Sequence, residues 1–199
     1  PAGQPTLLTR VVVTNCLFGR AFSTNRDGGY YENCLFADNR VTAGDGQAKG
    51  LVQLEFCSPT FRNCTIANNR LNNSAVINTC NDSGTGRFVN SILWGNVNEG
   101  TGAVENFKVK PVQLDYSCTT TNGFETATSV GNIEADPLFK DAARGKYALT
   151  AGSPCRNAGD DSVVAPGETD LAGNPRIMSR HVDMGCYEKE GPGLMLLVK

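Results

Sequence analysis

Large apolar residues and asparagine recur along this chain in a fixed order. Phe61-Arg62-Asn63-Cys64-Thr65-Ile66 reads large apolar, variable, Asn, Cys or Ser, variable, large apolar. Val13-Thr14-Asn15-Cys16-Leu17-Phe18, Tyr31-Glu32-Asn33-Cys34-Leu35-Phe36 and Phe88-Val89-Asn90-Ser91-Ile92-Leu93 repeat it. A weaker copy, Leu114-Asp115-Tyr116-Ser117-Cys118-Thr119, has Tyr116 in the Asn place. The Asn positions are 18, 30, 27 and 26 residues apart, an irregular period within the range of stacked repeats.

A strand alternates sides with period two. Here the alternation holds from the first place to the third, skips a beat, and resumes from the fourth to the sixth. A skip without a polar spacer predicts a bend between two short strands, and Asn tolerates the left-handed backbone of such a bend. Coils stacked at about 4.8 Å would lay each Asn over the next, so that their amides bond up and down the stack. The pattern therefore predicts an all-β chain, a right-handed parallel β-helix with an Asn ladder through Asn15, Asn33, Asn63 and Asn90. The competing reading is a β-sandwich with coincidental Asn-Cys pairs, which four matched copies and freely varying loops disfavour.

The coils are expected over residues 1–122, with strands at Leu7–Val13, Leu51–Phe56 and Ala75–Thr79, a second coil starting at Tyr30–Asn39 and a fourth holding Phe88–Asn96, in which Trp94 lines the core or a groove. Beyond residue 122 the repeat fades. Residues 123–190 read as a C-terminal cap of the same domain, with strands at Gly145–Thr150 and Val182–Glu188. Residues 191–199 read as an apolar tail strand.

Composition narrows the class. The chain has 199 residues, 19% charged and 40% hydrophobic, with 22 Gly, which suits a turn-rich β protein. A net charge of −2 favours neither nucleic acid nor an anionic membrane surface. No apolar run reaches the roughly 18 residues of a spanning helix. The chain starts at Pro1 and shows no signal peptide, which reads as a removed signal or an excerpt of a longer protein. An uncovered first coil is an open row of backbone donors and acceptors, so missing coils or another chain are expected to cover it.

Eight cysteines point to an oxidising compartment. Cys16, Cys34 and Cys64 share one inward place, as stacked free thiols or as disulfide partners. Cys57 and Cys80 each follow a strand apolar residue, Leu54 and Ile77, by three positions, which makes them candidate neighbours on adjacent coils, bridged or free. Zinc is disfavoured by the spacings and by the single His.

The segment after residue 122 carries ordered motifs: Ala135-Asp136-Pro137-Leu138-Phe139; Tyr147-Ala148-Leu149 with Ala151-Gly152-Ser153-Pro154-Cys155; Asp170-Leu171-Ala172-Gly173-Asn174-Pro175-Arg176; and Val182-Asp183-Met184-Gly185-Cys186-Tyr187-Glu188. Together with Asn90–Asn96 they resemble the C-terminal region of secreted bacterial right-handed β-helix proteins, the pectin-lyase-like group often labelled choice-of-anchor proteins. The resemblance implies a fold and an extracellular or cell-surface setting, and no particular reaction. The family usually has Ala where this chain has Cys186, and its frequent Cys is retained at Cys155. The resemblance thus makes Cys155–Cys186 the candidate staple of the cap. The family's second Asp in the Asp170 turn is Ala172 here, which lowers the expectation of a calcium site.

Catalysis needs converging groups, and the columns do not supply them. Outward acids such as Asp27, Glu32, Asp38, Asp45, Glu55 and Asp82 do not stack: Glu32 is followed by Arg62 and Val89, and Asp38 by Asn68 and Gly95. Hydrolases of this architecture need two or three carboxylates on one groove. Arg40 and Arg70 stack as solvated turn residues, and His181 belongs to the cap. No catalytic residue, cofactor or metal is therefore assigned. The sequons at Asn63, Asn72 and Asn81 carry little weight, since Asn63 points inward in this reading. The tail Leu194, Met195, Leu196, Leu197 and Val198 is either a last strand on the cap or a strand donated to a neighbour, which would join copies head-to-tail into filaments. The first expectation is a non-catalytic extracellular structural or adhesive protein with itself as a partner. The second is a module that binds or cleaves surface polysaccharide.

Overall fold

The computed structural model describes residues 6–18, 22–24, 28–42, 50–54, 58–72, 75–79, 86–104, 106–107, 112–120 and 129–191. The described strands fall into successive rungs. The first is β1 (Thr6–Thr9), β2 (Val12–Thr14), β3 (Leu17–Phe18) and β4 (Phe22–Thr24). The second is β5 (Gly29–Glu32), β6 (Leu35–Ala37), β7 (Arg40–Val41) and β8 (Val52–Leu54). The third is β9 (Thr60–Arg62), β10 (Thr65–Ala67), β11 (Arg70–Leu71) and β12 (Ile77–Thr79). The fourth is β13 (Gly86–Val89), β14 (Ile92–Trp94) and β15 (Val97–Asn98), and the fifth β16 (Val112–Asp115) and β17 (Cys118–Thr119). Each of the first three rungs gives one strand to each of four sheets, the fourth to three and the fifth to two, so the sheets run β1-β5-β9-β13-β16, β2-β6-β10-β14-β17, β3-β7-β11-β15 and β4-β8-β12. All these pairings are parallel and in register, for example Tyr31 on Phe61 on Phe88. The chain is all-β, with parallel sheets stacked in a way consistent with a β-helix or solenoid.

Register places like residues over like. The rings of Tyr31 and Phe61 stack at 4.4 Å, and those of Phe61 and Phe88 at 4.6 Å. Leu8 and Leu114 extend the column at either end. Beside it the buried Phe36, Ile66 and Leu93 fill the inner face of the second sheet, and Val41 and Leu71 that of the third. Packing of this kind adds about 0.5–1.5 kcal/mol per aromatic pair beyond area burial.

The rungs turn through two corners of the same design. At the first, Arg10, Asn33, Asn63, Asn90 and Tyr116 all have φ between 46° and 57°. At the second, Asn15, Asp38 and Asn68 have φ between 54° and 56°, and Gly95 follows at 67°. A left-handed residue turns the chain and leaves the next residue's side chain inside. That inner residue then relays the backbone groups the kink has displaced. At the second corner Asn69 Oδ1 accepts from Asn39 N (3.1 Å) and Asn39 Nδ2 (3.0 Å), while Asn69 Nδ2 donates to the Phe36 carbonyl (3.0 Å) and to Asn96 Oδ1 (2.9 Å). Asn96 Nδ2 continues to Asn106 Oδ1 at 2.9 Å. At the first corner Ser91 Oγ accepts from Cys64 N (3.1 Å) and donates to the Phe61 carbonyl (3.3 Å), and Ser117 Oγ accepts from Ser91 N (3.1 Å).

Two expectations are corrected by this geometry. The amide ladder runs through Asn39, Asn69, Asn96 and Asn106, and not through Asn15, Asn33, Asn63 and Asn90. The latter are the left-handed residues, whose side chains leave the stack: Asn33 and Asn63 Nδ2 donate to Glu168, at 3.0 and 3.1 Å, and Asn90 Nδ2 to the Asp160 carbonyl at 3.0 Å. Asn15 also belongs to a different row from Asn33. Thr14 pairs with Ala37 and Leu17 with Arg40, so Asn15 lies under Asp38 and Cys16 under Asn39. The residue under Asn33 is Arg10, and the odd 18-residue spacing disappears.

The segment expected to cap the end lies along the flank. Stacking continues past residue 122: Gly131 (φ 68°) takes the left-handed place over Tyr116, Asn132 Oδ1 accepts from Ser117 N at 2.9 Å, and Ile133 bridges to Cys118. The chain then forms the antiparallel pair β18 (Phe139–Asp141) and β19 (Lys146–Leu149). From there it runs back across the outer face of the second sheet as a strap. Leu35, Ala37 and Ala67 are buried under Tyr147 and Cys186, and Ile92 and Cys118 under Leu149, Cys155 and Met184. The approach is close: a Cβ on Gly185 would meet Thr65 Oγ1 at 2.8 Å and Ile92 Cδ1 at 2.9 Å. Val182–Glu188 is not a strand, because its backbone N–H groups bond individually to the Cys155 and Asn90 carbonyls, to Thr65 Oγ1 and to carboxylates. Cys57, Cys80, Asn81, Asp27, Asp45, Glu55, Asp82 and Leu194–Val198 lie outside the described residues.

Candidate functional site

The polar groups of the described residues concentrate where the strap meets the rungs. Arg62 on β9 lies between Glu32 on β5, 3.0 Å from its Nη2, and Glu168 of the strap. Burial acts against ionisation of Glu168. Bonds from Arg62 and Asn33 outweigh it and hold the carboxyl below its ordinary value. The same pairing raises Arg62, again against the opposing effect of burial. Further along, Tyr147 Oη donates to Asp38 Oδ1 at 2.7 Å and accepts from Asn68 Nδ2 at 3.0 Å. Burial and the Asp38 carboxylate both push the Tyr147 phenol up. The outward second-corner row thus anchors the strap as the first-corner row does.

The ordered motifs of the strap form a buried knot. Arg176, 1% exposed, pairs with Glu188 at 3.0 Å and donates to the carbonyls of Gly185 (3.1 Å) and Asp183 (3.0 Å). Asp170 accepts from Asn174 N (2.7 Å) and Glu188 N (2.9 Å), and Asp183 from Asn157 N and Lys189 N (both 2.7 Å). Burial pushes the Glu188 carboxyl up to about 8, against the attraction of Arg176 and with the repulsion of Asp183 added. Burial likewise raises Asp183. Each acid of the motif is committed to folding the strap.

One recess exposes titratable groups. It encloses about 430 Å³ and is lined by Tyr116, Asn157, Asp160, Asp161 and His181. His181 Nδ1 lies 2.8 Å from Asp161 Oδ2, and Asp161 Oδ1 accepts from Val182 N at 2.7 Å. Against slight burial, these bonds hold Asp161 below its ordinary value. Asp160 Oδ1 accepts from Ser162 N at 2.9 Å. The two carboxyls therefore close local turns. On the opposite side, Arg40 and Arg70 stack as expected and are exposed, with Glu99 3.0 Å from Arg40 Nε and 4.0 Å from Arg70 Nη1.

The cysteines sort differently from the expected pairing. The six described ones are free thiols. Cys186 lies with Leu35, Ala37, Ala67 and Tyr147, where burial pushes its thiol up to about 12, while Cys155 lies with Cys118, Ile92, Leu149 and Met184. The candidate Cys155–Cys186 bridge is thus replaced by two separate neighbourhoods along the strap. Sequence reasoning missed Asn39, Asn69 and Asn96, whose only signal is Asn three places after the last apolar residue of each hexad. It missed Glu168 altogether, since an isolated Glu in an irregular segment carries no signal.

Among the described residues no three His, Cys, Asp or Glu side chains are grouped to hold a metal ion, and no helix is long and apolar enough to cross a membrane. Compared with known proteins, the chain matches no protein-family model and no curated sequence.

Proposed function

We propose that this chain is a non-catalytic scaffold, a right-handed parallel β-helix module of an extracellular structural or adhesive protein, in which the C-terminal segment braces the flank of the stack. One observation carries this reading. The acids and bases of the strap (Asp170, Arg176, Asp183, Glu188, Glu168) bond to one another or to the rungs. Groups consumed in this way hold a shape and do not meet a substrate. Parallel rungs in register support the β-helix, and right-handed crossing is the hand that parallel connections adopt. The extracellular setting rests on the resemblance of the strap motifs to secreted β-helix proteins.

The test is incubation of the purified protein with a panel of neutral and uronic-acid polysaccharides, followed by assay for new reducing ends and for unsaturated products. No product is expected above the buffer control. Cleavage that is abolished in Asp161→Asn would overturn the reading.

A second reading is favoured by the recess beside His181, which joins an aromatic ring (Tyr116) to an amide (Asn157) and a His-carboxylate pair. Such a surface suits a saccharide, stacked on the ring and bonded at its hydroxyls. Calorimetric titration with oligosaccharides would reveal it as binding lost in Tyr116→Ala.

A further inference from the structure

We propose that Cys118 and Cys155 form a disulfide that fastens the strap to the fifth rung, and that the stacked pair Cys34 and Cys64 stays reduced.

Cys118 and Cys155 pack in one buried cluster, and Cys34 and Cys64 stack at the same corner of successive rungs within another. Their surroundings separate them. Cys34 and Cys64 are the inner residues of the first corner. Cys34 Sγ donates to the Leu8 and Glu32 carbonyls (3.4 and 3.3 Å), and Cys64 Sγ to those of Tyr31 and Arg62 (both 3.3 Å). Ser91 and Ser117 hold the same place in the next rungs, and Ser91 Oγ makes the same set of bonds. A hydroxyl does this work, so the position needs a small donor-acceptor and not sulfur redox chemistry. A bridge there would remove the protons that satisfy buried carbonyls.

Cys118 and Cys155 relay no such ladder. Cys118 lies on the outer face of the second sheet in register with Ile92, turned toward the strap. Cys155 lies in a turn held from three directions: Ser153 Oγ donates to the Pro137 carbonyl (2.6 Å), Cys155 N to Ser153 Oγ (3.1 Å), and Met184 N to the Cys155 carbonyl (2.9 Å). The one carbonyl bond lost on bridging is from Cys118 Sγ to Ala135, 3.2 Å. Both sulfurs are inaccessible among Ile92, Leu149 and Met184, so the bridge closes while the strap is docking.

The oxidant is a low-molecular-weight disulfide, RSSR. One cysteine thiolate attacks it, forming a mixed disulfide and releasing RS⁻. The second thiolate attacks the protein sulfur and releases the other RS⁻. The two cysteines lose two protons and two electrons, and RSSR leaves as two thiols. The sulfurs close to about 2.05 Å. This inference does not depend on the scaffold reading, since an enzyme or a binding module would carry the same staple.

The experiment is refolding of the full chain from the reduced, denatured state, in oxidised glutathione or in excess reductant. Alkylation in denaturant, proteolysis and mass spectrometry follow. In glutathione the peptides bearing Cys118 and Cys155 are expected as one cross-linked species, 2 Da lighter than their sum (~2 protons lost), with Cys34, Cys64 and Cys186 alkylated. Recovery of Cys118 and Cys155 as alkylated thiols, or of Cys155 linked to Cys186, would overturn the proposal. A second readout does not rely on mapping. The oxidised protein should melt roughly 5–15 °C above the reduced one. The Cys118→Ser/Cys155→Ser variant should lose that difference between the buffers, apart from any share owed to Cys57 and Cys80, and a variant whose difference equals the wild type's would also sink the idea.

Discussion

The two corners of each rung use the same residue for opposite purposes. At the first corner Asn33, Asn63 and Asn90 adopt the left-handed backbone and send their amides outward to the strap. At the second corner Asn39, Asn69 and Asn96 follow the left-handed residue, point inward, and bond to one another through the stack. The chemistry of the side chain is identical. What differs is which of the two corner positions it holds, because a left-handed kink reverses the face on which the next side chain emerges. An outward Asn hands its amide N–H to the strap, and the Oδ1 atoms of Asn33 and Asn63 stay buried without a partner. An inward Asn relays backbone groups of the neighbouring rungs, the Asn39 N–H and the Phe36 carbonyl among them.

Asn69→Ala should be the most damaging test of that contrast. It removes a partner from Asn39 N, Asn39 Nδ2 and the Phe36 carbonyl at once, while Asn96 Oδ1 keeps the backbone N–H of residue 69, and should cost about 3–5 kcal/mol. Urea denaturation at pH 7 measures it, and a loss under about 1 kcal/mol would break the ladder account.

Next in size come the carboxylates that the strap buries, and they respond to pH with opposite signs. Glu168 has a folded-state pKa below its ordinary 4.5. Its contribution is present above that value and disappears as the solution is acidified through the lower one. Glu168→Gln should cost about 1.5–3 kcal/mol at pH 7 and progressively less as the pH falls below 4.5. Glu188, pushed up to about 8, favours folding when protonated. Its contribution is full below about 4.5 and lost as pH rises through 8. Glu188→Gln should therefore remove a decline in melting temperature between pH 5 and 8. If both variants tracked the wild type in parallel across pH 3–8, neither carboxylate would hold the assigned role.

A smaller effect isolates the backbone. Asn63→Gly and Asn63→Ala both lose the bond to Glu168, but only Ala resists φ 54°, so Ala should be less stable than Gly by about 1 kcal/mol. The reverse order, seen in the same denaturation assay, would contradict the left-handed corner. Smallest of all is Cys64→Ser, which places a hydroxyl where Ser91 already has one in the rung above. Stability should stay within about 1 kcal/mol of the parent. A loss of several kcal/mol would show that the thiol does something the hydroxyl cannot.

Much of the stack was legible because apolar residues that must be buried repeat in a hexad, and a skipped alternation has few physical solutions. The register of the first rung was not. Asn15-Cys16 fits either corner, and only the pairing of Leu17 with Arg40 decides between them. Arg10 in a left-handed place gives no compositional hint. The Asn39 row was hidden for a related reason: period-two reasoning assigns it a face, and the kink at Asp38 inverts that face. The partners of the strap were beyond reach, since Glu168 and Cys155 meet residues far away in sequence and no periodicity links them. The order of the strap motifs was visible, and the knot formed by Asp170, Arg176, Asp183 and Glu188 accounts for why those residue types occur together.

Rungs that touch only their neighbours unzip from the ends, each at its own free energy. The strap changes that arithmetic. Arg10 bonds to Thr169, 159 residues away, Cys186 N to Thr65 across 121, and Asn90 to Asp160 across 70. A chain wired in this way has a high contact order, and its cross-ties couple distant rungs, so it should melt with less fraying than a bare stack. It also folds late, because the outer faces of Leu35, Ala67 and Ile92 stay uncovered until residues 134–191 have emerged from the ribosome and swung back over them.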